Sequence, residues 1–394
     1  MRQDTLATRS YVWLPTLTLM LATLAWSPTA SGQTLTVLHS FAGPSTDGSS
    51  PTAGVVLDSS TNLYGTTFYG GSSNDGAVFK TTSGGTTTLL HSFTGGSSDG
   101  AGPLAGLARD SSGNLYGTTE YGGTSNEGVV FKITSGGTFS VVHSFTGGSG
   151  DGETPWAGVT LDSSGNLYGT TYYGGTSNEG VVFKITSGGT FSVVHSFTGG
   201  SSDGASPIGG IAVDSSGNLF GTSFYGGTSG DGVVFKITSG GVFSVLHSFA
   251  GGSSDGAGPL AGLARDSSGN LYGTTEYGGT SGDGVAFKTT SAGATTVLHS
   301  FTGGSSDGQT PLAGLALDAS DNLYGSTEYG GTSGDGVVFK ITSGGVFSVL
   351  HSFTGGSSDG ETPYTNLVLD SSGNLYGTTF YGGSHNEGVV FKLN

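Results

Sequence analysis

The chain has 394 residues, with 28 Asp and Glu against 11 Lys and Arg, a formal net charge of −17, 78 glycines and no cysteine. Without cysteine there is neither a disulfide framework nor a thiol for a lipid anchor, so packing must hold the fold. So acidic a chain is repelled by nucleic acid and by anionic membrane surfaces, and neither is expected as a partner.

At the N-terminus, Arg2 and Arg9 precede an apolar run from Tyr11 to Trp26, followed by the small residues Ala30, Ser31 and Gly32. That order predicts a secretory signal peptide over residues 1–32, cleaved after Gly32. The run is shorter than the ~20 residues a spanning helix needs, and no later run approaches that length. The mature chain, residues 33–394, is therefore expected outside the cytoplasm: secreted, at the cell surface or periplasmic. Removing Arg2, Arg9 and Asp4 leaves 9 basic against 27 acidic residues.

Beyond the leader one unit repeats. The stretch Asn114-Leu-Tyr-Gly-Thr118, or a close variant, recurs with its Asn at 62, 114, 166, 218, 270, 322 and 374, always 52 residues apart. His-Ser-Phe keeps the same step from His39 to His351. Residues 105–145 serve as a specimen. Ala105–Arg109 is a short apolar run and Asp110-Ser-Ser-Gly113 a turn. Asn114–Glu120 and Val129–Ile133 are strands separated by a Gly-rich loop. After the Ser135-Gly-Gly137 turn, Phe139–Phe145 alternates apolar and polar residues. Four short strands between turn signals, with no helical period, predict an all-β unit. A four-stranded sheet with two apolar faces must stack on copies of itself.

Four strands per unit of this length predict a seven-bladed β-propeller with four antiparallel strands per blade; a linear solenoid is the alternative. The last unit stops at its third strand, Val389 to Leu393, while the mature chain begins with an unaccompanied fourth strand, Thr34 to Phe41. The orphan fills the vacancy, so the N-terminal strand closes the ring in the last blade and removes the sheet edges of an open array. A monomer is expected.

The runs Gly113-Asn-Leu-Tyr-Gly-Thr-Thr-Glu-Tyr-Gly-Gly123 and Glu127-Gly-Val-Val-Phe-Lys132 resemble the GloVer tandem repeat of Gloeobacter and Verrucomicrobia, over all seven units. The resemblance implies a secreted bacterial protein, often one with a surface-sorting tail, and supplies no activity and no catalytic residues. The chain runs to Asn394 without such a tail.

In an antiparallel meander the turns after strands one and three share one face. There Asp110 and its equivalents open turns and Lys132 and its equivalents end strand three, so a ring of Asp–Lys pairs is expected, each contributing about 0–1 kcal/mol. The opposite face takes the loops after strand two and the links between blades. It gathers acid: Asp47, Asp99, Asp151, Asp203, Asp255, Asp307 and Asp359 from the links, and Asp75, Glu127, Glu179, Asp231, Asp283, Asp335 and Glu387 from the loops. The copies also diverge most here. One position reads Phe68, Glu120, Tyr172, Phe224, Glu276, Glu328, Phe380; another, after the proline that opens each blade, reads Thr52, Leu104, Trp156, Ile208, Leu260, Leu312, Tyr364. Divergence gathered on one rim predicts a binding surface rather than simple drift of exposed loops.

Candidate chemistry is sparse. The seven strand-four histidines, one per blade, are too far apart for one zinc ion and read as packing. Gly96-Ser-Ser-Asp-Gly100 fits Gly-x-Ser-x-Gly but lacks the strand-to-helix turn of a nucleophile elbow. Calcium is possible at Asp99, Asp151, Asp203, Asp255, Asp307 and Asp359, whose loops are rich in hard oxygen donors; no other cofactor is indicated. The pairs Asp151/Glu153 and Asp359/Glu361 could serve a glycosidase or lyase. Tyr121 and its equivalents read as blade-to-blade packing with solvated hydroxyls, whereas Trp156 and Tyr364, unmatched in the other units, can stack on sugar rings. The ligand-binding candidates are Trp156, Tyr364, Tyr172, Glu120, Glu276, Glu328 and, as breaks in the innermost-strand pattern that should line the channel, Arg109 and Arg265. The expected function is non-enzymatic binding of a glycan or protein at the acidic loop face. The alternatives are an extracellular carbohydrate-active lyase or hydrolase using loop carboxylates, and a surface scaffold without a small ligand.

Overall fold

Each residue of the recurring Asn-Leu-Tyr-Gly-Thr-Thr stretch has its own structural task in the computed structural model, which describes residues 33–45 and 47–394. The expected signal peptide lies outside the described residues. Blades are numbered here from the one opened by Pro51; blade 2 opens at Pro103. Its four antiparallel strands, from the channel outward, are Ala108–Arg109, Leu115–Thr119, Val129–Ile133 and Phe139–Ser144. Asn114 donates its side-chain amide to Asp110 at 2.7 Å and accepts from the Ser135 amide at 3.1 Å, tying both turns of that face together. Leu115 is buried in the interface with blade 1. Tyr116 donates to Asp110 and lies under the Lys132 ammonium, 5.3 Å from its ring centre. Gly117 pairs with Phe131, and a Cβ there would stand 2.5 Å from the Phe131 ring, so glycine lets the ring lie on the strand. Thr118 donates to the Ala157 carbonyl of blade 3 at 2.8 Å, and Thr119 to the Tyr121 carbonyl.

Seven such sheets form the described chain, which contains no helix, and therefore none long and apolar enough to cross a membrane. The expected propeller is present, including its closure. Leu35–Ser40 pairs antiparallel with Val389–Leu393 as the outer strand of blade 7, and the Ser384 amide donates to Ser40 Oγ at 2.7 Å across the join. Each blade also carries a two-stranded ribbon the sequence does not announce. In blade 2, Gly100–Ala101 of the incoming link pairs with Tyr121–Gly122, so link and loop are pinned on one face.

The core lies between blades. Val130 and Phe145 of blade 2 pack on Val159, Leu167, Val181, Phe183 and Ile185 of blade 3, and equivalent clusters fill the other junctions. Phe131 and Phe145 are fully buried, each worth about 1.5–3 kcal/mol of transfer free energy. The outer strand departs from simple alternation. A bulge at Val142 lets Val141 oppose Phe131 while His143 opposes Val130, so Val141 and Val142 pack into different junctions.

The expected Asp–Lys ring does not form. Among the described residues every ion pair joins a His to an Asp. Asp110 instead accepts from the Ser112 and Asn114 amides, the Asn114 side chain and Tyr116, which leaves Lys132 to the Tyr116 ring face. Burial pulls the Asp110 carboxyl upward, and these hydrogen bonds more than offset it, holding the group below its ordinary value.

Candidate functional site: the channel mouth

The residue after each blade-opening proline turns toward the axis. Thr52, Leu104, Trp156, Ile208, Leu260, Leu312 and Tyr364 all line one central cavity of about 400 Å³. Two residues further on, the backbones of neighbouring blades nearly touch. A Cβ on Gly54 would lie 2.1 Å from the Asn366 carbonyl oxygen, and one on Gly158 would lie 2.6 Å from that of Gly106. Six repeats place glycine at this position, with the approach closest at Gly54 and Gly158 and open space at Gly210. Blade 7 places Asn366, whose side-chain oxygen accepts from the Gly314 amide at 2.6 Å and whose NH2 is left for the cavity.

Between successive mouth residues sits the residue that follows strand two. Trp156 donates its indole N–H to Glu120 of blade 2 at 3.3 Å and stacks on Tyr172, with ring centres 4.5 Å apart. Tyr364 donates to Glu328 of blade 6 at 2.9 Å and meets Phe380 edge-on at 5.4 Å. Glu328 is only 8 % exposed. Burial, then the Glu328 charge and its hydrogen bond, push the Tyr364 phenol well above its usual range. Glu276 holds the same position in blade 5, and its hydrogen bond with Tyr277 pushes that phenol up to about 12. Outside this girdle stands a ring of seven exposed tyrosines, Tyr69 to Tyr381. They were expected to pack between blades with only their hydroxyls in water; instead 41–52 % of each residue is exposed.

Of the residues singled out in the sequence, Trp156 and Tyr364 reach the cavity, Glu120, Glu328 and Tyr172 touch them, and Glu276 occupies the same girdle without a Trp or Tyr donor from the next blade. Arg109 and Arg265 do not line the cavity. Their guanidinium groups lie over Tyr64 and Phe220 of the preceding blades, at 6.0 and 5.9 Å from the ring centres. Next to the Asp turn, a residue at this strand position points into the junction between blades, where the other repeats have Leu or Val. The Arg109 Nε is buried without a hydrogen-bond partner. Asn366 was missed. Its signal was the single break in a glycine register kept by Gly54, Gly106, Gly158, Gly210, Gly262 and Gly314.

The link carboxylates have a structural use. His143 Nε2 meets Asp151 Oδ1 at 3.1 Å, and Asp151 also accepts from Thr146 N, Thr146 Oγ1 and Gly152 N. His91/Asp99, His195/Asp203, His299/Asp307 and His351/Asp359 repeat the clasp with their threonines, and His247/Asp255 keeps it with the Ala250 amide. The calcium candidates thus accept from N–H and O–H donors of their own links. Burial raises these aspartates, and the His hydrogen bond, with the others, brings them net below their ordinary value. The histidines do pack as expected: His143 also stacks on Phe191 of blade 3 at 3.9 Å. Their bond to Asp was not foreseen, although the offset of eight residues is constant.

Of the carboxylates Asp151 and Glu153, Asp151 is held by His143. Glu153 instead feels Glu127, and Glu361 feels Asp335; burial first, then that neighbouring charge, raises each. Ser97 and Ser98 of the Gly-x-Ser-x-Gly run are exposed, and the run's Asp99 is bound to His91.

The Gloeobacter/Verrucomicrobia repeat matches residues 23–223, 98–266 and 211–394. The chain belongs to this repeat family. No curated protein matches it. Among solved structures, this GloVer-repeat propeller is similar to a 6-phosphogluconolactonase candidate from Bacteroides uniformis, with TM-score 0.52 and 18 % identity over 80 % of this chain and 88 % of that one. It is also similar to the extracellular domain of a candidate hybrid two-component system from B. thetaiotaomicron, with TM-score 0.54 and 11 % identity over 89 % of this chain and 39 % of that one. A gluconolactonase from Xanthomonas campestris aligns over 92 % of this chain and 89 % of its own, with TM-score 0.45 and 12 % identity. At these identities the likeness is one of fold alone.

Proposed function

We propose that the protein is a secreted, non-enzymatic propeller that binds a saccharide at the loop-side mouth of its channel. The observation that carries this reading is the pair of aromatic–carboxylate contacts, Trp156 with Glu120 and Tyr364 with Glu328, at the rim of the central cavity. A flat aromatic face takes the C–H face of a sugar ring, while carboxylate oxygens and the Asn366 amide take its hydroxyls. The volume falls in the ~300–1,000 Å³ range of small-ligand pockets. The mouth is also where the seven units differ, as a site for an asymmetric ligand on a pseudo-symmetric ring requires. Glu120 and Glu328 stand on different blades, each engaged by an aromatic donor, and this supports binding rather than acid–base catalysis. The signal-like residues 1–32 support secretion.

The test is binding of residues 33–394 to a glycan and polysaccharide array, beside Trp156→Ala and Tyr364→Ala. Retention by the parent and loss of at least about tenfold in either variant is expected, as for truncation of an aromatic residue that anchors a ligand. A blank array overturns the saccharide reading and points to a protein partner.

A further inference from the structure

We infer that the saccharide recognised at the mouth is one that carries free ammonium groups, an amino sugar or a short chain of them. This rests on the saccharide reading above and goes further by assigning the ligand's charge.

The distribution of charge between the two faces is the first ground. All nine lysines and arginines of residues 33–394 are placed away from the mouth. The seven lysines sit over strand-two rings, at 5.2 Å for Lys340 on Tyr324 to 5.9 Å for Lys392 on Tyr376. Arg109 and Arg265 lie between blades beside the Asp turns. The strand-four histidines are committed to the link aspartates. No lysine or arginine therefore offsets Glu120, Glu276 and Glu328 at the girdle.

Behind the girdle the field has the same sign. Glu153 pairs in register with Tyr173 on this face. Its carboxyl and that of Glu361 are raised by burial and by the neighbouring Glu127 and Asp335. Such crowding of like charge is relieved when a cation arrives.

The third ground is local geometry. Glu328, 8 % exposed, has the Tyr364 hydroxyl on one oxygen, and the Tyr364 ring lines the cavity beside it. Across the girdle, Glu120 stands against the stacked Trp156 and Tyr172 rings. A carboxylate next to an aromatic face is the arrangement that holds an ammonium group, through charge pairing and attraction to the ring quadrupole together. Of the saccharide classes, an anionic one is repelled by this face, and a neutral one leaves the field unused. An amine-bearing one satisfies the carboxylates, stacks on the rings, and can present its ring oxygens and hydroxyls to Asn366.

The experiment is calorimetric titration of residues 33–394 with a glucosamine tetramer, its fully N-acetylated counterpart and a cello-tetraose, with oligolysine as the plain polycation. The glucosamine tetramer is expected to bind at least about tenfold more tightly than either neutral tetramer. The E120Q/E276Q/E328Q variant should lose that preference, binding amine and neutral tetramers alike; if it fails to fold, the half-buried Glu276→Gln alone should reduce the preference. Trp156→Ala should weaken binding of the glucosamine tetramer with its carboxylates intact. Equal affinity for amine and neutral tetramers overturns the inference and leaves the saccharide reading standing. Oligolysine binding as tightly, with Trp156→Ala without effect, also overturns it, as adsorption of a polycation. Binding of none of the saccharides brings down the saccharide reading itself.

Discussion

The lysine-side face and the channel mouth are built from the same seven units, yet one is uniform and the other individual. On the lysine side each Asp meets the Asn four residues on, and in six of the seven blades also a Tyr hydroxyl. Every Lys lies on a strand-two ring. At the mouth, the seven equivalent positions hold Thr, Leu, Trp, Ile, Leu, Leu and Tyr. The difference follows from what each side chain meets. A lysine-side residue has its partners within its own unit, so a change in one copy leaves a donor or acceptor unpaired. A mouth residue faces a cavity shared by all blades, where a change in one copy is absorbed by space. Uniform positions therefore report on stability, and individual ones on binding.

That contrast can be broken in graded steps. The largest stability loss is expected from Gly117→Ala, whose Cβ would be 2.5 Å from the Phe131 ring; about 3 kcal/mol, read from denaturant unfolding, is the expected cost of such overpacking. A loss under about 0.5 kcal/mol would mean the strand yields easily. Asp110→Ala removes the acceptor of four donors and should cost about 2 kcal/mol, with mouth binding unchanged in the folded protein. His143→Ala leaves the largely buried Asp151 its threonine and amide donors, and about 1 kcal/mol is expected. At the other end, Asn366→Gly, which restores the glycine of the other six throats, should change stability by less than about 0.5 kcal/mol while weakening the ligand. Unfolding and binding measured on one sample separate the two outcomes; a destabilised Asn366→Gly would place Asn366 in the frame instead.

The pH dependence sharpens the same comparison. The clasp aspartates such as Asp99 and Asp151, and the turn aspartates such as Asp110, are held below their ordinary value when folded. Their stabilisation is complete above the unfolded value near 4. It is lost as pH falls through the lower folded values, because the unfolded chain binds protons first. Acid titration of unfolding should show stability falling only below pH about 4. Tyr277 has the opposite sign. Its phenol, raised to about 12, contributes stability below the ordinary tyrosine value, lost as pH rises through the folded one, and ultraviolet titration should show this late ionisation; a phenol ionising near 10 would mean that the Glu276 contact is absent.

The clasp and the throat show how far the residues could be read in advance. His143 and Asp151 stood eight apart in every repeat, but that they meet depends on the link folding back along the outer strand and on the bulge at Val142. Arg109 and Arg265 were visible as breaks in pattern, but two-residue periodicity does not say whether a break faces the channel or the neighbouring blade. Asn366 broke a register of glycines, and the close approach of adjacent backbones that Gly54 and Gly158 permit exists only once the ring has formed.

By itself the sequence determined the all-β class, the seven units, the four strands in each and the closure by Leu35–Ser40 on Val389–Leu393. These follow from the period, the alternation and the turn residues, which are properties of one chain read in order. Only the tertiary structure decided that Trp156 meets Glu120 and Tyr364 meets Glu328, each 36 residues apart, and that Thr118 bonds Ala157 across 39. Those contacts join different blades, and which atoms meet is set by the stagger and spacing of packed sheets. No local pattern encodes that geometry.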